Sequence, residues 1–373
     1  MREPVGLRRK RILAVVHARG AVKVSSLAAE LDVSAVTLRR DVEELARTGM
    51  LRRGHGVVRP MGDAVPVTAV PAARSGQPAG DEAPVALVVP ERHSYLHETL
   101  HGARTALEEA GRRITLHIAP QAAGAERPQV ERALAAGVSG LLIAPRWRSS
   151  AGEEADHGWL AEVGVPTVLM ERRPRPGSVL HALDSVCSDH WYGIHLAVDH
   201  LVSLGHRRIV LAARNDSPTA RSIRAAFADI AAARPEVEDW AVVLSSPDAG
   251  PGGPGTPEEV PDIAALLRER GMTGAVLHGD EEALMLVQRM TENGIRVPQD
   301  CSVVAYDDVV AALGSTALTA VAPPRTEIGR TAAQLLMHRL AQPPGTTGPV
   351  RRTELLPRLE VRGSTQVLHR PAK

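Results

Sequence analysis

The chain has 373 residues, 44% of them hydrophobic and 23% charged, with a net charge of +1. At ~100–200 residues per domain that is two or three domains, which excludes a disordered polymer and a disulfide-stapled mini-domain. No apolar run approaches the ~20 residues of a membrane-spanning helix. Two cysteines, Cys187 and Cys301, make neither a disulfide framework nor a four-ligand zinc site. The N-terminus reads as no secretory signal, and the cytoplasm is the expected compartment. Aromatics at 2% argue against a stacking platform for single-stranded nucleic acid. The charge is unevenly placed: residues 1–60 carry 13 Lys+Arg against 6 Asp+Glu, while the remainder is net acidic. A small basic head on an acidic body points to a polyanion-binding domain joined to something else.

Residues 1–58 are expected to form a winged helix-turn-helix. A helix from about Leu7 to Ala18 turns Ile12, Val15 and Val16 inward, and 21–24 is a short strand. A second helix carries Leu27 and Leu31. The third starts at the N-cap Ser34, with Leu38, Val42 and Leu45 on one face. The opposite face presents Ser34, Thr37, Arg39 and Arg40, the positions that enter a major groove in this motif. Residues 50–58 read as a basic hairpin, the wing. Lys23, Arg52, Arg53 and the wing's His55 join the DNA-binding set, the two wing arginines and Lys23 as phosphate contacts. A merely solvated basic face is the alternative reading of Arg39 and Arg40.

Residues 59–83 contain recurrent proline and no apolar period, so they read as a flexible linker. From residue 84 onward short β-rich runs alternate with helical patterns. The runs are Val85–Val89, Ile114–Ile118, Leu141–Ile143, Thr167–Met170, Arg208–Ala213, Trp240–Leu244, Gly274–His278 and Ser302–Tyr306. Helices over 100–110, 192–204, 263–270 and 281–293 each end at a glycine, the residue that left-handed helix ends favour. The stretch 247–261 reads as a surface loop. The implied class is α/β, with parallel sheets covered on both faces and two lobes.

Ligands of open α/β sheets bind beyond the carboxyl ends of the strands. Tyr95, Glu171, Asp280 and Asp307 follow four of these strands, and Arg221 and Arg224 open the helix after a fifth. Carboxylates and guanidinium groups in one cleft suit a polyhydroxyl ligand. Each has a plainer reading: Asp280 as a helix cap, Tyr95 as core, Glu171 as surface. His97 and His101 share a helix face without an accompanying carboxylate or thiol, so metal is not expected. No phosphate loop or catalytic motif stands out, and neither cofactor nor enzymatic activity is expected.

Two resemblances sharpen this reading. Residues 33–45 (VSAVTLRRDVEEL) and 49–56 (GMLRRGHG) resemble the DNA-binding domain of the DeoR-type bacterial regulators, with Val57 in place of their second wing glycine. The sugar-phosphate sensor of that family does not follow. Residues 84–366 instead resemble the effector domain of the lactose/galactose repressor (LacI/GalR) family. The carrying segments are 137–143 (GVSGLLI), 165–171 (VPTVLME), 200–209 (HLVSLGHRRI), 294–308 (GIRVPQDCSVVAYDD), 318–321 (LTAV) and 362–365 (RGST).

The resemblance implies two periplasmic-binding-protein-like lobes joined by three chain crossings. Lobe 1 would comprise 84–187 and 324–341, lobe 2 would comprise 188–323 and 342–366, and 367–373 would be a tail without tetramerising heptads. It gives Asp307 a ligand role. The family's ligand arginine would fall on Ile223 and the following glycine on Ala226, so either Arg221 or Arg224 takes that part, Arg221 by preference. The function implied is a cytoplasmic transcriptional regulator, a repressor by expectation, that binds double-stranded operator DNA as a homodimer under control of a small-molecule effector, expected to be a sugar. The alternative is a ligand-independent regulator with a vestigial cleft. The family's hinge helix has no counterpart in the Pro/Ala/Gly linker.

Overall fold

The computed structural model describes residues 12, 22–23, 27, 37–38, 40–42, 45, 51–54, 57–60, 83–91, 95–246, 262–343 and 348–368. The chain divides into two compact units, Met1–Pro78 and Ala79–Lys373. Most of the expected linker, the expected loop at 247–261 and residues 369–373 of the tail lie outside the described residues.

In the first unit, Ile12, Leu27, Leu38, Val42 and Leu45 are all helical and buried. The last three sit at i, i+4 and i+7, so they fall on one helix face, and that face is the core face that the spacing predicts. Three antiparallel strands complete the described head: β1 (Val22–Lys23), β2 (Leu51–Gly54) and β3 (Val57–Pro60), in the order β1-β3-β2. Only two residues separate β2 from β3, and Arg53 pairs with Val58 across the ladder. This is the hairpin expected of the wing.

The second unit holds two six-stranded sheets. The first runs β14-β8-β7-β6-β4-β5 and every pairing is parallel. Its strands are β4 (Val85–Pro90), β5 (Ile114–Ala119), β6 (Gly140–Ile143), β7 (Thr167–Met170), β8 (Asp184–Ser188) and β14 (Arg352–Leu355). Helices α1 (Leu96–Glu109), α2 (Glu126–Ala135), α3 (Ser150–Ala161) and α8 (Arg325–Leu340) accompany this sheet. The second sheet runs β10-β9-β11-β12-β13-β15, parallel except at its last pair. It contains β9 (Arg208–Ala212), β10 (Asp239–Val243), β11 (Gly274–His278), β12 (Ser302–Tyr306), β13 (Thr319–Ala322) and β15 (Arg358–Glu360). Helices α4 (His190–Ser203), α5 (Pro218–Ala233), α6 (Ile263–Arg270) and α7 (Asp280–Glu292) cover it.

The central strands are buried along their whole length because each sheet has an apolar cluster on both faces. That is why they read as continuous hydrophobic runs rather than alternating ones. Side-chain caps start several helices: Asp189 accepts from Tyr192 N at 2.8 Å, Ser149 from Gly152 N at 3.1 Å, and Ser217 from Ala220 N at 3.1 Å ahead of Pro218. The expected glycine stop after α6 is also present, with Gly271 left-handed at φ 60°. At the α1–α8 crossing, Gly102 and Gly329 let two backbones meet. A Cβ on Gly329 would stand 1.8 Å from the carbonyl oxygen of Thr99.

The chain passes between the sheets three times, after β8, after β13 and between β14 and β15. One expected boundary needs correction. Residues 342–366 do not all belong to lobe 2, because Arg352–Leu355 pairs in parallel with β8 of lobe 1, and the chain returns to lobe 2 with the three-residue strand β15 and the segment after it. The pairing at a sheet's open edge left no signature in so short and polar a strand.

Candidate ligand cleft and DNA-binding head

A cavity of about 500 Å³ lies beyond the carboxyl ends of the parallel strands, with walls from both lobes. Lobe 1 supplies Tyr95, Arg146, Arg148 and Arg172, and lobe 2 supplies Arg214, Asp216, His278, Asp280 and Asp307. The turns that deliver these groups are conformationally unusual. Trp147, Glu171, Asp307 and Asp308 all have positive φ, at 38°, 53°, 111° and 53°. Such backbone persists where its surroundings over-determine it, and it clusters at ligand sites.

Of the six sequence-predicted ligand residues, three line the cavity. Tyr95 donates to Glu171 Oε1 at 2.7 Å, and the Arg325 guanidinium sits 5.7 Å from the centre of its ring. Asp307 presents a carboxyl whose Oδ1 has no hydrogen-bond partner. Burial, reinforced by the neighbouring Asp280 carboxylate, holds that carboxyl well above the usual carboxylate range. Asp280 does not cap its helix through its side chain. Its Oδ2 accepts from Val310 N at 2.9 Å and Ala311 N at 3.2 Å, and also from Val309 N, while Oδ1 accepts from Asp308 N at 3.3 Å. It therefore fixes the turn that carries Asp307. Burial pushes the Asp280 carboxyl upward while these amides pull it down.

The other three do not reach the wall. Glu171 is buried behind Tyr95, where it also accepts from Ser188 N at 3.2 Å, so it orients the tyrosine. Arg224 donates to the carbonyls of Ala213 and Val243 at 3.2 and 3.1 Å, tying α5 to its own sheet. Arg221 crosses between lobes, donating to the carbonyls of Trp147 and Arg148 at 3.1 Å each and to Glu153 Oε2 at 3.4 Å. A side chain that starts on the first turn of α5 can point to the rim or to the neighbouring lobe, and spacing alone does not choose. Ile223 is fully buried in the core of lobe 2.

Sequence reasoning missed Arg146, Arg148, Arg172, Arg214, Asp216 and His278. The strand-end rule that found Tyr95 and Asp307 applies equally to the turns after β6, β7 and β9, and would have found the four arginines and Asp216. Arg214 and Asp216 form a two-bond pair, Nε to Oδ1 at 2.9 Å and Nη2 to Oδ2 at 2.5 Å, and Arg214 also reaches Glu282 at 2.9 Å. Arg172 turns back onto the carbonyls of Pro145 and Glu171, and burial lowers it to about 10. Burial pushes His278 down to about 4 and His190 to about 3, so both imidazoles are neutral.

In the head, Arg40 is helical and exposed and Thr37 is helical and half-buried. Lys23 lies in β1, and Arg52 and Arg53 lie in β2. Ser34, Arg39 and His55 lie outside the described residues. No described helix is long and apolar enough to cross a membrane.

Comparison with known proteins agrees with this architecture. A DeoR-like helix-turn-helix domain model matches residues 8–61, and a periplasmic-binding-protein-like domain model matches residues 198–365. The two matches together describe a DeoR-like head followed by a periplasmic-binding-protein-like body. The body is 28% identical over 247 residues to the arabinose metabolism transcriptional repressor of Geobacillus stearothermophilus, covering 65% of this chain and 66% of that one. It is 29% identical to the transcriptional regulator AscG of Escherichia coli, covering 63% and 67%. The chain thus spans about two thirds of the length of these relatives, which are transcriptional regulators rather than enzymes. Among solved structures, the chain is similar in fold to a LacI family transcriptional regulator from Enterococcus faecium with bound ribose. The TM-score is 0.58 at 24% identity, over 76% of this chain and 99% of that one.

Proposed function

We propose that this protein is a transcriptional repressor whose operator binding, as a homodimer, is controlled by a sugar-class molecule held between the lobes of its body. The observation that carries the reading is the cavity of about 500 Å³ at the carboxyl ends of the strands, with Asp307 presenting an unpartnered carboxyl oxygen. A buried polar atom without a partner costs about 1–3 kcal/mol, which a ligand hydroxyl recovers. The arabinose repressor's name and the ribose in the Enterococcus structure support the ligand class.

In the head, Arg39 and Arg40 read base edges, while Lys23, Arg52 and Arg53 follow the backbone of the duplex, and Ser34, Thr37 and His55 complete the DNA-binding set. A two-fold dimer places half-sites about 10 bp or a multiple of it apart.

The first test is a thermal-shift screen of the full chain against pentoses, hexoses, disaccharides, sugar phosphates and sugar acids. A ligand at ~100 times its Kd adds about 2.7 kcal/mol. A shift that Asp307→Ala abolishes supports the sensor. No shift from a folded sample favours the ligand-independent regulator. For DNA, Arg40→Ala should cost ~1–3 kcal/mol and relax preference at one position per half-site. An equal loss on every sequence would make Arg40 a backbone contact instead.

A further inference from the structure

We propose that the cleft's ligand is an anionic sugar, with a phosphate or carboxylate seated on Arg146 and Arg148 and hydroxyls turned toward Asp307. The inference rests on the sensor reading above and assigns the ligand its chemistry.

The cavity's charged groups divide by what already holds them. Arg214 is satisfied by Asp216 and Glu282, Arg172 by two backbone carbonyls, and Asp280 by a row of backbone amides. What remains on the lobe-1 wall is Arg146 and Arg148. Among the described residues their one acidic neighbour within ion-pair reach is Asp216, at 3.9 and 4.0 Å, and its two oxygens are already taken by Arg214. Arg146 Nη1 and Arg148 Nε are buried without hydrogen-bond partners.

Three guanidinium groups thus converge on Asp216, and among the described residues Arg214 alone of the three has a second carboxylate, Glu282, within ion-pair reach. Burial and the neighbouring Arg148 lower the Arg146 pKa, against the raising effects of Asp216 and Glu126. Two planar guanidinium groups side by side match the geometry of a phosphate or carboxylate. The start of α5 adds to the same wall, since Ser217 and Thr219 line the cavity, and a helix N-terminus favours negative charge. On the other side Asp307, its carboxyl raised toward the neutral form, offers hydrogen bonds to hydroxyls rather than a counter-charge to a cation. A neutral sugar would leave both arginines uncompensated, whereas a bare anion would leave Asp307 without a partner.

The test titrates the full chain calorimetrically with glucose, glucose 6-phosphate, ribose, ribose 5-phosphate, gluconate, galacturonate and inorganic phosphate. The expected result is a charged sugar that binds where its neutral parent does not, and the phosphate and carboxylate arms separate the two anions. Arg146→Gln and Arg148→Gln should each weaken that binding about 10- to 100-fold. Arg146→Lys and Arg148→Lys, which keep the charge but lose the planar fork, should bind more tightly than the glutamine variants and less tightly than wild type. Melting curves without ligand identify any variant that has lost its fold, and for such a site the lysine variant decides.

Three results overturn the inference. A neutral sugar that binds at least as tightly as its charged derivative and ignores the arginine variants would refute it while leaving the sensor standing. Inorganic phosphate binding as tightly as the sugar phosphates would refute the role of the hydroxyls. Silence across the whole panel from folded protein would remove the sugar sensor and this inference together.

Discussion

Arg221 joins the two lobes, and removing it should open the body. Its Nη1 donates to two carbonyls of lobe 1 and its Nη2 reaches Glu153, which is 4% exposed. These bonds are 3.1–3.4 Å long and the arginine side chain is 21% exposed, so each lies at the weak end for a charged donor. Together they contribute about 2–3 kcal/mol to the closed arrangement. Arg221→Ala should therefore lower the closed-to-open ratio by about 30- to 150-fold. The assay is a spin-label distance between Ala135→Cys on α2 and Ala232→Cys on α5, both exposed sites on opposite lobes. Native Cys187 and Cys301 are both buried, and burial raises each thiol to about 12, so the introduced thiols label selectively. The expected outcome is a longer, broader distance in Arg221→Ala that Arg221→Lys partly restores. An unchanged distribution would show that Arg221 does not set the lobe equilibrium.

Three further outcomes follow from the geometry. Gly329→Ala places a methyl 1.8 Å from a backbone carbonyl that no rotamer can move, and should cost about 3 kcal/mol or more, lowering Tm by roughly 10 °C; a melt within 2 °C of wild type would contradict the close crossing. Asp280→Asn replaces an acceptor of backbone amides with a group that can accept through one atom alone, at about 2–3 kcal/mol, and should speed amide exchange at Val309, Val310 and Ala311. The buried pair His190 and His278 titrates near 3 and 4 when folded and near 6.5 when unfolded. Their stabilising effect is therefore full above pH 6.5 and lost as pH falls, by about 1.4 kcal/mol per pH unit for each histidine until its folded pKa is reached. Urea melts between pH 7 and 5 should show a shallower decline in His278→Gln than in wild type.

The lobes were legible because parallel strands covered on both faces must be apolar throughout, and six such runs, with two less buried edge strands at 114–118 and 240–244, separated by helical stretches leave few alternative folds. The four strands not read from the alternation are those with a reason to lack the signal. Asp184–Ser188 carries an aspartate and two serines, and Asp184 is held by Arg339 at 2.5 and 2.8 Å. Arg352–Leu355 and Arg358–Glu360 lie at sheet edges and are largely polar. Thr319–Ala322 is four short residues that entered only through a family resemblance. In the head the i, i+4, i+7 spacing of Leu38, Val42 and Leu45 sufficed because a helix face is fixed by geometry alone.

The site was legible only in outline, for a related reason. A strand end places a residue at the rim, but the turn decides which way its side chain faces. The left-handed backbone at Glu171 aims its carboxylate back toward Ser188 and away from the cavity. The same strand-end logic at Arg146-Trp147-Arg148 delivers two guanidinium groups into the cleft while the carbonyls of Trp147 and Arg148 hold Arg221. One turn thus carries both the groups left for a ligand and the anchor for lobe closure. A ligand anion on Arg148 steadies the backbone that Arg221 grips, so binding and closure should reinforce each other by the same free energy in both directions. The affinity lost in Arg221→Ala should then equal the closure that ligand restores in the spin-label distance, and a mismatch between the two would separate the latch from the sensor.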